Sequence, residues 1–214
     1  MRQSDAMSGR SPIVFVVDDD SSVRRSFARL LKSAGHEVAV FASAQEFLQH
    51  EGDYGPGCMV LDLQLPGLSG LDLQAELAAA GRTIPIVFIT GHGDIPSSVK
   101  AMKAGAVDFL PKPVHAKVLL DAVRQAIARE IEARQDRQAT DAVSARFSLL
   151  TPREREVVAL VVTGQLNKQI ARELGTTEKT VKVHRSRAMH KLGAGSVAEL
   201  VRLAETVGVG PPRH

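Results

Sequence analysis

The sequence contains one cysteine and has no long apolar run. Cys58 therefore cannot form an internal disulfide, and its position in an apolar strand pattern favours a buried, unreactive thiol. No stretch of about 18 apolar residues is present, which argues against a membrane span. Residues 1–10 also lack the apolar segment of a secretory signal. These absences predict a protein of the reducing cytoplasm that has no membrane partner.

Charge is unevenly distributed along the chain. Residues 1–133 contain 13 Lys and Arg against 16 Asp and Glu, a net charge of −3. Residues 134–214 contain 14 against 8, a net charge of +6. The basic C-terminal part indicates a polyanionic partner, although solvated basic faces are common in proteins of many functions.

Short apolar runs alternate with helical stretches in the first two thirds of the chain, which is typical of βαβ units and a parallel sheet. The predicted strands lie near residues 13–17, 37–41, 57–62, 85–89 and 107–110. The predicted helices between and after them lie near residues 21–34, 43–49, 69–80, 95–104 and 115–138. This order predicts an α/β fold of the flavodoxin-like (CheY-like) type with a five-stranded parallel sheet.

The remainder of the chain shows no strand pattern. Its predicted helices lie near residues 152–163, 167–174, 178–192 and 196–206 and indicate a small all-α domain. The whole chain is accordingly divided into a flexible N-terminus, an α/β domain, a polar linker, a four-helix domain and a flexible tail. These segments cover, in that order, residues 1–12, 13–134, 135–147, 148–207 and 208–214.

Polar side chains follow the predicted strands where each strand ends. Asp18 and Asp19 follow the first strand, Asp62 ends the third, Thr90 follows the fourth, and Lys112 follows the fifth. In an open α/β sheet these positions converge on one crevice. Carboxylates suit Mg²⁺ or Mn²⁺, whose charge offsets the repulsion between neighbouring acids. Taken singly, each acid is more often a helix cap or a surface charge.

A helix-turn-helix pattern occupies the basic part of the chain. Residues 167–175 form its predicted first helix, which ends with Gly175 at the turn. Residues 178–192 form the second helix, which carries one apolar stripe and several cations. Such a helix suits the major groove of double-stranded DNA, where it can contact base edges and phosphates.

Together these motifs resemble a two-component response regulator. The first 133 or so residues resemble a receiver domain, and residues 149–206 resemble the LuxR/NarL-type helix-turn-helix domain. Residues 89–94 and 103–109 are most similar to the FixJ subfamily. The resemblance implies a phosphorylation-activated transcription regulator that has a sensor histidine kinase, promoter DNA, RNA polymerase and a second copy of itself as partners. It implies no enzyme activity beyond the chain's own phosphorylation and dephosphorylation.

The resemblance also implies roles for single residues of the acidic crevice. Asp62 is the implied phospho-acceptor, assisted by Lys112 and Thr90. The implied metal ligands are Asp18, Asp19, Asp62 and the backbone carbonyl of Gln64. Thr90 and Phe109 are the implied switch pair, and a static core position is the alternative for Phe109. Gln64 and His92 are candidates for tuning the lifetime of the phosphoryl group.

Two further surfaces follow from the resemblance. The first is a dimer face between about residues 95 and 125, for which the apolar candidates are Ala101, Met102, Ala104 and Val118; all four could equally be core. The second is the DNA-reading helix. Its base-edge candidates are Lys182 and Val183, with Lys179 and Ser186 nearby, and its phosphate or packing candidates are Thr180, His184, Arg187 and Lys191.

Two alternatives compete with this interpretation. Residues 15–20 also fit the strand-then-DxD pattern of haloacid-dehalogenase-like phosphatases, in which Asp18 would be the nucleophile. Ser21 stands where that pattern favours Thr or Val, and residues 62–66 and the helix-turn-helix are left unexplained. The second alternative is a regulator that ignores phosphate and acts constitutively or through protein contacts.

Overall fold

A computed structural model describes residues 11–50, 55–91 and 95–209 of the chain. The chain divides into two compact units, with the boundary between Arg134 and Gln135. Residues 1–10 and 210–214, which belong to the predicted flexible ends, lie outside the described residues.

The first unit is built on a parallel sheet whose strands follow the order β2-β1-β3-β4-β5. These strands are β1 (Ile13–Val17), β2 (Glu37–Phe41), β3 (Gly57–Asp62), β4 (Ile86–Thr90) and β5 (Asp108–Pro111). β1, β3 and β4 are almost continuously apolar because helices cover both faces of a parallel sheet. The order and the parallel pairing confirm the predicted flavodoxin-like layout.

The helices of the first unit bury the two faces of the sheet separately. They are α1 (Ser21–Ser33), α2 (Ala44–Gln49), α3 (Gly70–Ala79), α4 (Ile95–Lys103) and the part of α5 (Ala116–Ser148) that precedes the boundary at Arg134. Successive residues of β1 enter different cores, since side chains of a strand alternate between faces. Phe15 lies in a core that includes residues of α2, α3 and α4, whereas Val14 lies in a core that includes residues of α1 and α5. Asp20 caps α1 by accepting hydrogen bonds from the amides of Ser22 and Val23.

Helix α5 is longer than predicted. It continues to Ser148 instead of ending near residue 138, so the segment 135–147 that was predicted as a linker is helical. This segment has no Gly or Pro and is rich in Ala, Arg and Gln, which are good helix formers. Val143 and Phe147, four residues apart on one face, pack into the core of the second unit. The polar composition of residues 135–147 is therefore that of a solvent-exposed helix and not of an irregular linker.

The second unit is all-α, as predicted. Its helices are α6 (Pro152–Val161), α7 (Asn167–Glu173), α8 (Glu178–Leu192) and α9 (Val197–Thr206). Thr151 and Glu154 form a reciprocal capping box at the start of α6, where Pro152 occupies the first turn. Gly175 has φ +60° at the turn before α8, a conformation that L side chains rarely adopt. Across the described ranges, no helix combines the length and the apolar character that crossing a membrane requires.

Candidate functional site

Three carboxylates meet at the carboxyl edge of the sheet. Oxygen atoms of Asp18, Asp19 and Asp62 all lie within 4.8 Å of one another. Asp18 is 2% exposed and Asp62 is 5% exposed, whereas Asp19 is open to solvent. A set of oxygen donors that is buried on one side and open on the other suits a hard divalent cation. The convergence expected from the strand ends is therefore present.

Lys112 brings a positive charge into the same cluster. Its Nζ atom lies 2.6 Å from Oδ2 of Asp62 and 2.8 Å from Oδ2 of Asp18. Burial raises the pKa of Asp18, and the hydrogen bond from Lys112 opposes this effect. Burial by itself would lower the pKa of Lys112, but its hydrogen bonds to Asp18 and Asp62 leave that pKa raised.

The backbone around Lys112 explains how the side chain reaches the acids. Its amide donates a hydrogen bond of 2.6 Å to the carbonyl oxygen of Thr90, which ties the end of β5 to the end of β4. The Lys112–Pro113 peptide bond is cis. The side chain is one quarter exposed, so the ammonium lies at the mouth of the crevice.

Backbone amides hold the second oxygen of each buried acid. Oδ1 of Asp62 accepts a hydrogen bond of 3.1 Å from the amide of Gln64, and Oδ1 of Asp18 accepts one of 2.9 Å from the amide of Asp20. Both carboxylates are therefore fixed in orientation between a backbone donor and Lys112. The side chain of Gln64 is exposed beside the crevice, and His92 lies outside the described residues.

Thr90 and Phe109 lie on the same face of the sheet. Thr90 is fully buried, and Phe88, two residues before it on β4, pairs with Phe109 on β5. The rings of Phe88 and Phe109 have their centroids 6.2 Å apart. Because alternate residues of a strand share a face, the predicted switch residues are diagonal neighbours. Phe109 is half-buried.

Two contacts at the crevice were not predicted from the sequence. The guanidinium of Arg24 donates a hydrogen bond of 2.5 Å to the carbonyl oxygen of Asp18, which braces the end of β1 from α1. Gly70, the first residue of α3, approaches so closely that a Cβ atom there would overlap the backbone oxygen of Asp62. Neither contact has a local sequence signal, since both depend on how a helix packs on the sheet.

The second unit presents one polar face of α8. Lys179, Lys182, Val183 and Ser186 are all exposed, and their spacing of three and four residues places them together on the helix. The opposite stripe, formed by Val181, Ala188 and Leu192, is fully buried, as predicted. Thr177 caps the start of α8 by accepting a hydrogen bond from the amide of Thr180. An exposed cationic face at the start of a helix suits the major groove.

The remaining predicted DNA contacts differ in their surroundings. Arg187 is exposed. Thr180 and His184 are half-buried, and among the described residues Nδ1 of His184 has no hydrogen-bond partner. Lys191 donates to Oε2 of the buried Glu154 at 2.7 Å and to the carbonyl oxygen of Leu149 at 3.2 Å. Of the two roles predicted for Lys191, this geometry favours packing over a phosphate contact.

Comparison with known proteins agrees with this geometry. The family model described as the response regulator receiver domain matches residues 14–124, and that of the bacterial regulatory proteins of the luxR family matches residues 148–204. The chain is a response regulator of the FixJ/NarL type. It is a phosphorylation-activated transcriptional regulator, so a sensor kinase and DNA are its partners. This membership decides against the phosphatase alternative.

Three similar proteins align with nearly the whole length of this chain. Nodulation protein W of Bradyrhizobium diazoefficiens is 52% identical over 92% of this chain and 87% of that protein. Transcriptional regulatory protein FixJ of Azorhizobium caulinodans is 43% identical over 92% of this chain and 94% of that protein. The solved structure of response regulator StyR is 52% identical, covers 92% of this chain and 99% of that chain, and superposes with a TM-score of 0.82.

Proposed function

We propose that Asp62 accepts the phosphoryl group from the sensor kinase and that this modification promotes dimerisation and DNA binding. The observation that carries the proposal is the position of the Asp62 carboxylate, which is held between the Gln64 amide and the Lys112 ammonium beside two further acids. A carboxylate oriented in this way presents an oxygen to an incoming phosphorus atom.

The proposed transfer is a displacement at phosphorus. An oxygen of Asp62 attacks the phosphorus of a phosphohistidine, a P–O bond forms, the P–N bond breaks, and the imidazole leaves with the electron pair. Lys112 stabilises the negative charge on the phosphoryl oxygens, and the hydroxyl of Thr90 donates a hydrogen bond to one of them. We propose that catalysis is limited to this reaction and to hydrolysis of the acyl phosphate, in which Gln64 orients water.

The residues present fit a divalent cation. Asp18, Asp19, Asp62 and the backbone carbonyl of Gln64 would hold Mg²⁺ or Mn²⁺. When bound, such a cation supplies positive charge next to the phosphoryl oxygens. Lys112 would add a second positive charge, because its ammonium contacts Oδ2 of both Asp18 and Asp62.

The proposed output is a change at the exposed face of α4 and α5. The hydroxyl of Thr90 turns towards the phosphoryl group, and Phe109 repacks into the space that becomes free. Ile95, Val99 and Met102 form an apolar row on α4 with spacings of four and three residues, and Ile95 is 78% exposed. Val118 of α5 is also exposed, whereas Ala101, one of the candidates for this face, is fully buried in the core.

Dimerisation through this row would deliver two α8 helices to paired half-sites. The second contact then becomes intramolecular, so the overall affinity exceeds that of a single domain. RNA polymerase is a further proposed partner at the promoter. We also propose a cytoplasmic location, because the DNA that the protein regulates lies there.

The test compares wild type with Asp62→Ala and Asp18→Ala in the presence of acetyl phosphate and Mg²⁺. Intact mass, oligomeric state and affinity for promoter DNA are measured together. The expected result is one phosphoryl group, more dimer and tighter DNA binding in wild type, and none of these in Asp62→Ala. Asp136→Ala, which removes an exposed acid of α5, serves as the control.

Phosphorylation that persists in Asp62→Ala would contradict the assignment of the acceptor. Modification of Asp62 without any change in dimer or DNA affinity would instead support the alternative in which the regulator acts independently of phosphate.

A further inference from the structure

Gln74 is a buried polar residue outside the acidic crevice. It lies in the middle of α3, is 6% exposed, and directs its amide towards α4. Its Nε2 atom lies 3.2 Å from the carbonyl oxygen of Ala104 and 3.4 Å from that of Ala101. A side-chain amide carries two N–H donors, so one group can serve both oxygens. The side chain therefore links two neighbouring helices.

The two carbonyls belong to the C-terminal end of α4. The last carbonyl groups of a helix have no partner within the helix and need another donor. The amides of Gly105 and Ala106 already satisfy those of Met102 and Ala101, and Gln74 supplies a donor for Ala104. The end of α4 is thus partly capped by a side chain from a different helix.

Helix α3, which carries Gln74, begins next to the proposed phospho-acceptor Asp62. Gly70 donates a hydrogen bond of 3.1 Å to the carbonyl oxygen of Leu63, next to Asp62. A Cβ atom at Gly70 would also lie 3.1 Å from Cα of Leu63 and from the ring of Phe88, so the start of α3 is packed tightly on the end of β3. Gln74 lies about one turn later. α3 therefore connects the end of β3 to the end of α4.

We propose that Gln74 is a positioning residue that holds the C-terminal end of α4 on α3 in the arrangement adopted when Asp62 is unmodified. Moving α4 towards a dimer-forming position then requires these hydrogen bonds to break or to re-form. The proposal rests on the proposed function, because it assumes that the α4 face responds to phosphorylation. It adds a link that is separate from the Thr90 and Phe109 pair.

The first experiment measures hydrogen exchange by NMR in unmodified, full-length protein. Gln74→Met keeps the length and the apolar stem of the side chain but removes the amide. We expect the amides of Gly105 and Ala106 to exchange about fivefold faster, the effect of losing roughly one net hydrogen bond. Gln74→Glu, which turns an acceptor towards the carbonyls, should have a larger effect. Glu76→Met, on the exposed side of α3, is the matched control.

The second experiment measures the dimer dissociation constant with and without acetyl phosphate. We expect Gln74→Met to strengthen the dimer of unmodified protein about fivefold, with little change in the phosphorylated protein. If Gln74 only fills space, Met leaves both the exchange rates and the ratio of the two constants unchanged. Faster exchange with an unchanged ratio would also overturn the proposal, because it would show a merely structural role.

The two proposals fail in different ways. If wild type is not phosphorylated on Asp62, or if its dimer does not respond, the proposed function fails and Gln74 has no output to control. Hydrogen exchange in the unmodified protein still decides whether Gln74 holds the end of α4. If wild type responds and Gln74→Met behaves like Glu76→Met in both experiments, only the positioning role is lost.

Discussion

Lys112 and Asp62 are 50 residues apart in the sequence, yet Nζ of Lys112 lies 2.6 Å from Oδ2 of Asp62. The parallel sheet produces this contact, because both residues lie at strand ends on the same edge. The ammonium offsets the repulsion between Asp62 and Asp18, and it is positioned to stabilise the charge of a phosphoryl group.

Removing this ammonium should slow phosphorylation without unfolding the receiver unit. We expect Lys112→Met to lower the rate of phosphoryl transfer from acetyl phosphate to Asp62 about a hundredfold, as loss of a preorganised electrostatic contact does. Intact-mass time courses measure the rate. Lys117→Met, at an exposed position of α5, should leave it unchanged. Equal rates in both variants would show that Lys112 takes no part in the transfer.

The close approach of Gly70 to β3 predicts a destabilising substitution. Gly70→Ala places a methyl group against the backbone of Asp62 and Leu63, and overpacking of this kind costs about 2 kcal/mol. Urea unfolding of the full chain measures the change. Gly91→Ala is the matched control, because a Cβ atom there meets no atom within 4 Å. Equal stability of the two variants would mean that the start of α3 can shift without cost.

The ion pair between Lys191 and Glu154 predicts a stability role for a lysine of the DNA-reading helix. Lys191→Met leaves the buried carboxylate without its cation, and we expect a loss of about 2 kcal/mol in the second unit. Lys179→Met, at an exposed position of the same helix, should cost little. Calorimetry separates the two variants. A loss of DNA affinity in Lys191→Met at unchanged stability would instead favour a phosphate contact.

The same pair predicts a dependence of stability on pH. The hydrogen bond from Lys191 holds the pKa of Glu154 below its ordinary value of 4.5. The stabilisation is therefore fully present above pH 4.5, and it is lost as the pH falls through the folded pKa. The difference in melting temperature between wild type and Glu154→Gln should be constant from about pH 7 to pH 5 and should shrink below pH 4.5. A difference that stays constant at acid pH would mean that the carboxylate is not stabilised in the folded protein.

The exposed face of α8 predicts two different kinds of DNA contact. If Lys182 contacts a base edge, Lys182→Met lowers affinity for the specific site about tenfold and affects non-specific DNA much less. If Arg187 contacts phosphate, Arg187→Met weakens binding to all sequences and reduces the salt slope by about 1. Binding to specific and random duplexes at several salt concentrations distinguishes these results. The same pattern for both variants would contradict the division of roles.

The fold class and the polar residues at the strand ends follow from the sequence alone. Alternating apolar runs and helical stretches predict a parallel sheet because a parallel arrangement buries both faces of its strands. The carboxyl ends of the strands lie along one edge of such a sheet. The residues of the crevice could therefore be predicted from their positions at strand ends: Asp18, Asp62, Thr90 and Lys112. The capping box of Thr151 and Glu154 and the buried stripe of α8 were likewise predictable, since each depends on spacing within one helix.

The partner of each polar side chain, in contrast, depends on how the elements pack together. The sequence shows Lys191 only as a cation of the DNA-reading helix. The packing of α6 on α8 brings its ammonium into an ion pair with Glu154. The sequence does not distinguish Gln74 from other polar residues of a helix, and its contact with the carbonyl oxygen of Ala104 arises from the packing of α3 beside α4. Similarly, the packing of Val143 and Phe147 into the core of the second unit is not visible in the polar composition of residues 135–147. Residue spacing within one segment specifies a helix or a strand. The contacts of these side chains depend instead on packing between segments that are distant in the sequence, and the pattern within one segment does not encode that packing.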